Sequence, residues 1–244
     1  MLNNKKAIVI GASSGIGRAL AKVLSRNGYE VGLAARRVEL LRQLQEEIPA
    51  QTYLKHIDVS QPDEAMRLLQ ELINEMGGLD LIVLNSGINT HNTSLNWQGE
   101  IDTINVNVSG FVAMAVVAVK HFLRQNSGHL VGISSIAGLK GSAGCPSYNA
   151  SKAFVSNYLE GLRHRLMQNN IYVSDIRPGL VDTALIKGER GQFWVSTAEE
   201  AAEQIFQAIK KKKGVAYITR RWCLIAWLIK ILPDWVYRLR YKIK

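Results

Sequence analysis

The chain has 244 residues, 47% hydrophobic and 20% charged, which suits one well-cored α/β domain or two small ones and excludes a chain too polar to fold. Its formal net charge of +10 is confined to one end: residues 210–244 hold eleven Lys and Arg against a single acid, Asp234, and residues 1–209 are neutral. Two cysteines, Cys145 and Cys223, are too few for a disulfide framework and fit a reducing compartment.

Residues 6–10 form a short apolar run, expected as a first strand, that enters the turn Gly11-Ala12-Ser13-Ser14-Gly15-Ile16-Gly17. Apolar residues at helical spacing follow over 18–27. Strand, glycine turn and helix is the setting a phosphate-binding loop needs: glycines let backbone approach a pyrophosphate, and the helix start supplies N–H groups and positive dipole. A second strand is expected over 30–35, followed by Arg36-Arg37. In such units an acid at this point binds the ribose 2′-hydroxyl of NAD, whereas arginine accommodates the 2′-phosphate of NADP. The first acid after the strand is Glu39, so Arg36 and Arg37 point to NADP(H) in preference to NAD(H).

A helix over 38–48, a strand over 52–57 closed by Asp58-Val59, and a helix over 61–76 come next. The continuous apolar run 79–84 reads as a parallel strand buried on both faces and ends at Asn85-Ser86-Gly87. The stretch 99–124 is expected as one long amphipathic helix, with Asn105 and Asn107 among apolar neighbours, where an amide must find partners or cost stability. A fifth strand (130–134) precedes Ser135, a helix (147–168) carries Tyr148 and Lys152, and a sixth strand (171–176) runs into Pro178-Gly179 and residues 180–183. Residues 184–197 lack periodicity and are expected as a mobile loop. A helix over 198–210 and a strand over 215–218 complete the pattern. Strands alternating with helices predict an α/β fold, a single doubly wound parallel sheet of about seven strands.

Tyr148 and Lys152 are four residues apart, hence one turn apart on one helix face. An ammonium beside a phenol favours the phenolate and makes Tyr148 a proton donor and acceptor at working pH. Ser135, thirteen residues upstream at a strand end, has a hydroxyl that can face it.

In combination these features resemble the short-chain dehydrogenase/reductase family of the Tyr-x-x-x-Lys type, along residues 5 to about 220. Gly11…Gly15-Ile16-Gly17 matches the cofactor glycine motif, and Asp58-Val59 the pair beside the adenine. Asn85-Ser86-Gly87 matches the N-A-G element, and Pro178-Gly179 with Val181 and Thr183 the nicotinamide-side segment. Ile10, Leu84 and Ser86 depart from the threonine, asparagine and alanine usual at their positions, and none of them is a catalytic group. The resemblance implies that Tyr148 is the general acid and base, that Lys152 assists it and holds the nicotinamide ribose, and that Ser135 binds the substrate oxygen. It implies that Asn107 positions a water in a proton relay, that no metal takes part, and that the protein is a homodimer or homotetramer. The implied reaction is NADP(H)-dependent interconversion of a carbonyl and an alcohol. A 3-oxoacyl-carrier-protein-type reductase and a non-catalytic dinucleotide-binding scaffold or sensor stand as alternatives.

Residues 1–219 are thus expected as the catalytic domain and 220–244 as an extension outside the family pattern. The extension interleaves Trp222, Leu224, Trp227, Leu228, Trp235 and Tyr237 with Arg and Lys, and Pro233-Asp234 divides it into two short helices. Trp with abundant cations marks a helix lying in a membrane interface. A lid over the substrate pocket and a surface for a partner subunit are the competing readings, and no nucleic-acid module is recognisable. The apolar run 222–232 is interrupted by Lys230 and falls short of the roughly 20 residues that span a bilayer. No signal-peptide hydrophobic region precedes the first strand. The expected location is cytoplasmic, peripheral on a membrane if the tail docks, with a lipophilic substrate in that case.

Overall fold

The first strand, β1 (Lys5–Ile10), is buried from Ala7 onward on both faces, because it lies near the middle of a sheet covered by helices on each side. The computed structural model describes residues 5–183, 194–219 and 221–231. After β1 come α1 (Gly15–Arg26), β2 (Tyr29–Ala35), α2 (Val38–Glu47), β3 (Thr52–His56), α3 (Pro62–Met76) and β4 (Leu81–Leu84). The second half holds α4 (Trp97–Ile104), α5 (Phe111–Gln125), β5 (Gly128–Ile133), α6 (Pro146–Arg165), β6 (Ile171–Pro178), α7 (Ala198–Lys210), β7 (Val215–Ile218) and α8 (Trp222–Ile231).

The seven strands make one parallel sheet in the order β3-β2-β1-β4-β5-β6-β7. Strand order reverses between β1 and β4, where the chain winds outward in both directions and leaves a crevice at the strand C-termini. Alternate residues of β1 serve two cores. Ala7 and Val9 face Leu20, Leu24 and Ile205 of α1 and α7, whereas Ile8 and Ile10 belong with Leu69, Leu72, Phe111 and Phe122 of α3 and α5.

Local chemistry sets the helix ends. Pro62 opens α3 with Asp63 and Glu64 in its first turn, and Gly77 closes it in the left-handed conformation (φ 69°). Thr197 and Glu200 form a capping box at the start of α7.

The expected single helix over 99–124 is instead two helices joined by a π-helical turn, Asn105–Gly110. The widened turn brings the Asn107 carboxamide onto the backbone of Ile88. The stretch Trp97–Gln125 is long and apolar enough to cross a membrane by composition, yet 61% of its most apolar 18-residue window is buried in the core.

The expected loop 184–197 lies outside the described residues as far as 193. Its last part is tied down, with Asp182 N–H donating to the Ser196 carbonyl (2.8 Å) and Ser196 N–H to that of Leu180 (3.1 Å). Of the extension, α8 is the first expected short helix, and residues 232–244, with the second, lie outside the described residues.

Phe122 is fully buried where α5 meets the sheet. Phe122→Ala is expected to lower unfolding free energy by about 3–5 kcal/mol, read from urea denaturation.

Candidate active site

At the crevice between β1 and β4 the backbones interlock without room for side chains. Gly11 has φ +89°, and a Cβ there would stand 2.8 Å from the Ser86 nitrogen. A Cβ on Gly17 would stand 2.2 Å from the Gly11 carbonyl oxygen. That carbonyl accepts from Asn85 Nδ2 (3.0 Å), and Asn85 N–H donates to the Ile10 carbonyl (3.0 Å). The start of α1 is thereby pinned between two strand ends. Its first turn holds no acid, and the Ser14 hydroxyl does not cap it. Those features leave the positive end of α1 to an external anion.

The Ser14 hydroxyl is engaged elsewhere. Arg37 Nη2 donates to Ser14 Oγ (2.7 Å) and Ser13 Oγ (3.0 Å). Among the described residues no carboxylate pairs with Arg36 or Arg37. Asp58, at the next strand end, accepts from Ser60 N–H (3.0 Å) and Ser60 Oγ (2.7 Å), which fixes its carboxylate on the wall.

The resulting cleft has a volume of about 530 Å³. Every site residue expected from the sequence lines it except Gly17 and Asn107, which stand behind the wall. The glycine loop and the two arginines form one part, and Ser135, Tyr148, Lys152, Gly179 and Thr183 are gathered in the same cleft.

Tyr148 and Lys152 project from α6, with Lys152 Nζ 5.8 Å from the centre of the Tyr148 ring. Lys152 is only 5% exposed, and its ammonium donates to the Ile133 carbonyl at the end of β5 (2.9 Å). Burial pulls its pKa down from 10.5 to about 8, and the charge of Asp175 opposes that shift. Asp175 on β6 is fully buried, accepts from Ser134 Oγ and pairs with Arg177 Nε (2.7 Å). Arg177 in turn lies 5.7 Å from the Tyr217 ring centre. Ser135 starts a 3₁₀ turn, Ile136–Leu139, and its Oγ accepts from Ala137 N–H (3.0 Å). Its contact with the Pro178 carbonyl, 3.5 Å, is at the limit of a hydrogen bond, so the hydroxyl proton is available to a guest.

Asn107 is almost wholly buried and its carboxamide is spent on structure. Nδ2 donates to the Ile88 carbonyl (2.9 Å) and to Ser151 Oγ (3.0 Å), and Oδ1 accepts from Ile88 N–H (2.9 Å). It ties the segment after Gly87 to α6, one residue from Lys152.

Three parts of the site were not read from the sequence. Ile88, Asn89 and His91 line the cleft beyond Gly87. His91 has a left-handed backbone (φ 46°), in a loop held by buried Asn92, which donates to the Asn96 carbonyl and to Glu100 Oε1 (2.7 Å each). The turn-forming run Asn89-Thr90-His91-Asn92-Thr93-Ser94 was the available signal. Asp175 had none beyond an acid within a strand. Trp222 was read as part of the extension, but not its seat: its buried indole fills the place a side chain at 179 would take, with Cδ1 2.2 Å from where a Cβ on Gly179 would stand. α8 also packs on the 3₁₀ turn that follows Ser135.

Residues 5–193 match the short chain dehydrogenase family. A Myxococcus xanthus protein described as an uncharacterized oxidoreductase is 38% identical over 189 residues, 75% of each chain. Among solved structures, a short-chain dehydrogenase/reductase from Burkholderia phymatum in complex with NAD aligns with a TM-score of 0.83 at 22% identity, covering 91% of this chain and 92% of that one. An alcohol dehydrogenase from the archaeon Thermococcus sibiricus, complexed with 5-hydroxy-NADP, gives 0.78 at 23%, covering 88% and 95%. Those two likenesses speak to the fold, and the match over residues 5–193 speaks to ancestry: this chain belongs to the short-chain dehydrogenase family of oxidoreductases.

Proposed function

We propose that the protein is an NADP(H)-dependent oxidoreductase that interconverts a carbonyl and an alcohol on a lipophilic substrate. The observation that carries this reading is the buried ammonium of Lys152 beside Tyr148, in one cleft with Ser135 and an arginine-lined phosphate site.

The residues fit a dinucleotide. Gly11 and Gly17 leave space only backbone or a ligand can use, and the uncapped start of α1 suits a pyrophosphate. Arg37, already oriented by Ser13 and Ser14, and Arg36 on the same wall suit the dianionic 2′-phosphate of NADP. Asn85, Ser86, Gly87, Val181 and Thr183 line the remaining walls. A bound nicotinamide supplies hydride exchange with the substrate carbon.

The chain's own groups handle the proton. Tyr148 delivers it to the carbonyl oxygen in reduction and takes it back in oxidation. Lys152, still largely protonated at neutral pH with a pKa of about 8, favours negative charge on the phenolic oxygen. Ser135 donates to the substrate oxygen as it gains charge. Asn107 holds Ile88 and α6 in register. Ile88 and Val106 add apolar surface to the cleft, which favours a lipophilic carbonyl compound. The presence of Tyr148 and Lys152 in one cleft weighs against the scaffold alternative.

Three outcomes are expected. Tyr148→Phe lowers turnover roughly 10²–10⁴-fold while nicotinamide binding, followed by NADPH fluorescence, persists. Wild-type protein binds NADPH more tightly than NADH, and Arg36→Ala/Arg37→Ala weakens NADPH alone by about 10–100-fold; a wild-type preference for NADH overturns the cofactor reading. The third concerns Lys152. Native Lys152 loses its proton near pH 8, but the unfolded chain keeps it to about 10.5, so across that window the unfolded state binds more protons and stability rises with pH. Below pH 8 the penalty is present in full. Relative to Lys152→Met, wild-type protein should gain on the order of 3 kcal/mol between those limits, read as the difference between paired urea titrations.

A further inference from the structure

α8 has two apolar faces. Trp222 (4% exposed) and Ala226, one turn apart, close inward on Gly179 and the 3₁₀ turn after Ser135. Leu224, Trp227 and Leu228 point the other way, 73%, 62% and 47% exposed, and their spacing of three and four makes one continuous stripe. A helix on the surface of a soluble domain normally opposes its buried stripe with charged residues. Here the opposing face offers a tryptophan and two leucines, a patch of the kind that marks an interaction site.

Charge identifies the occupant. Arg221, at the start of α8, is exposed, and residues 210–244 carry eleven cations against one acid. The sequence that follows α8 adds Trp235, Tyr237 and Tyr241 to Arg238, Arg240, Lys242 and Lys244. A second copy of this chain would bring the same cations to the contact and repel. An anionic lipid surface attracts them and offers acyl chains to the leucines and a headgroup layer to the tryptophans.

We infer that α8 docks the protein on an anionic lipid bilayer, with Leu224, Trp227 and Leu228 in the interface. The inner face of the same helix rests on Gly179, so the bilayer lies about one helix diameter, roughly 10 Å, from the cleft wall. Docking does not depend on the proposed reaction. Its consequence, that a lipid-borne substrate reaches the cleft along α8, rests on that reading.

The test is flotation of the full-length protein with vesicles of phosphatidylcholine alone and of phosphatidylcholine with phosphatidylglycerol. Binding is expected with the anionic vesicles, weaker with the neutral ones, and reduced by added salt. Leu224→Asp/Trp227→Asp, away from the cofactor cleft, should cut binding by about tenfold or more and leave NADPH binding unchanged. Brominated acyl chains should quench the fluorescence of wild-type protein on docking, a readout that needs no variant. Absence of flotation with anionic vesicles, absence of quenching, or flotation indifferent to the double substitution overturns the inference. So does a double variant that changes the oligomer mass in light scattering, because the stripe is then a contact between protein chains. A failed reductase assay with intact flotation would overturn the reaction and leave docking standing.

Discussion

The ends of β1 and β4 meet the start of α1 backbone against backbone, with one side chain, Asn85, tying them, and the rest of the site depends on that meeting. A methyl group at Gly17 would fall 2.2 Å from the Gly11 carbonyl oxygen, well inside any tolerable contact. The carbonyl is held by Asn85, so the turn cannot relax away from β4. Three elements are thus fixed by close backbone packing and the Asn85 carboxamide, and the polarity they present is that of amide dipoles. Side-chain charge enters at one remove. Arg37 gains its orientation from Ser13 and Ser14, which belong to the same turn, so the phosphate-facing backbone and the arginine are positioned together.

The other end of the cleft works against stability. Placing the Lys152 ammonium at 5% exposure costs hydration that a single carbonyl hydrogen bond does not return, which is why its pKa falls to about 8. The surroundings limit the cost by alternating charge. Asp175 opposes the shift in Lys152, Arg177 compensates Asp175, and the Tyr217 ring and hydroxyl receive Arg177. Ser134 joins this line through its bond to Asp175, and its neighbour Ser135 faces the cleft. A group poised to lose its proton near pH 8 is therefore obtained from a network that stays paired deeper in.

The fold was legible because the central strands β1 and β4 read as apolar runs, and strand-like segments alternate with helical spacing along the chain. The gathering of Gly11, Arg36, Asp58, Ser135, Tyr148 and Lys152 in one cleft follows from the same pattern, since each stands just beyond a strand end or on the helix beside one. The π turn at Asn105–Gly110 was not legible: one extra residue in a turn shifts the apolar phase by a single position, within the noise of any stretch that long. The bonds from Arg37 to the two serines, and the seating of Trp222 on Gly179, join residues more than twenty apart in sequence whose types give no sign of one another. Likewise the apolar content of the extension was plain, but which of its residues faced inward was not.

That last division matters for how specificity can be built. Gly179 follows Pro178 at the end of β6, with its N–H bonded to the Ile218 carbonyl, and the space its missing side chain leaves is occupied by Trp222. A larger residue at 179 would expel the indole and with it the inner face of α8. The glycine loop and the strand ends suit any dinucleotide, so in the proposed reaction they would not choose the substrate. In that reading discrimination would fall to parts that the common framework leaves free, such as the loop holding His91, which lines the cleft. The helix that Gly179 admits also has an apolar outer face, so the indole seated behind Gly179 and the exposed stripe of Leu224, Trp227 and Leu228 are set on one rigid element.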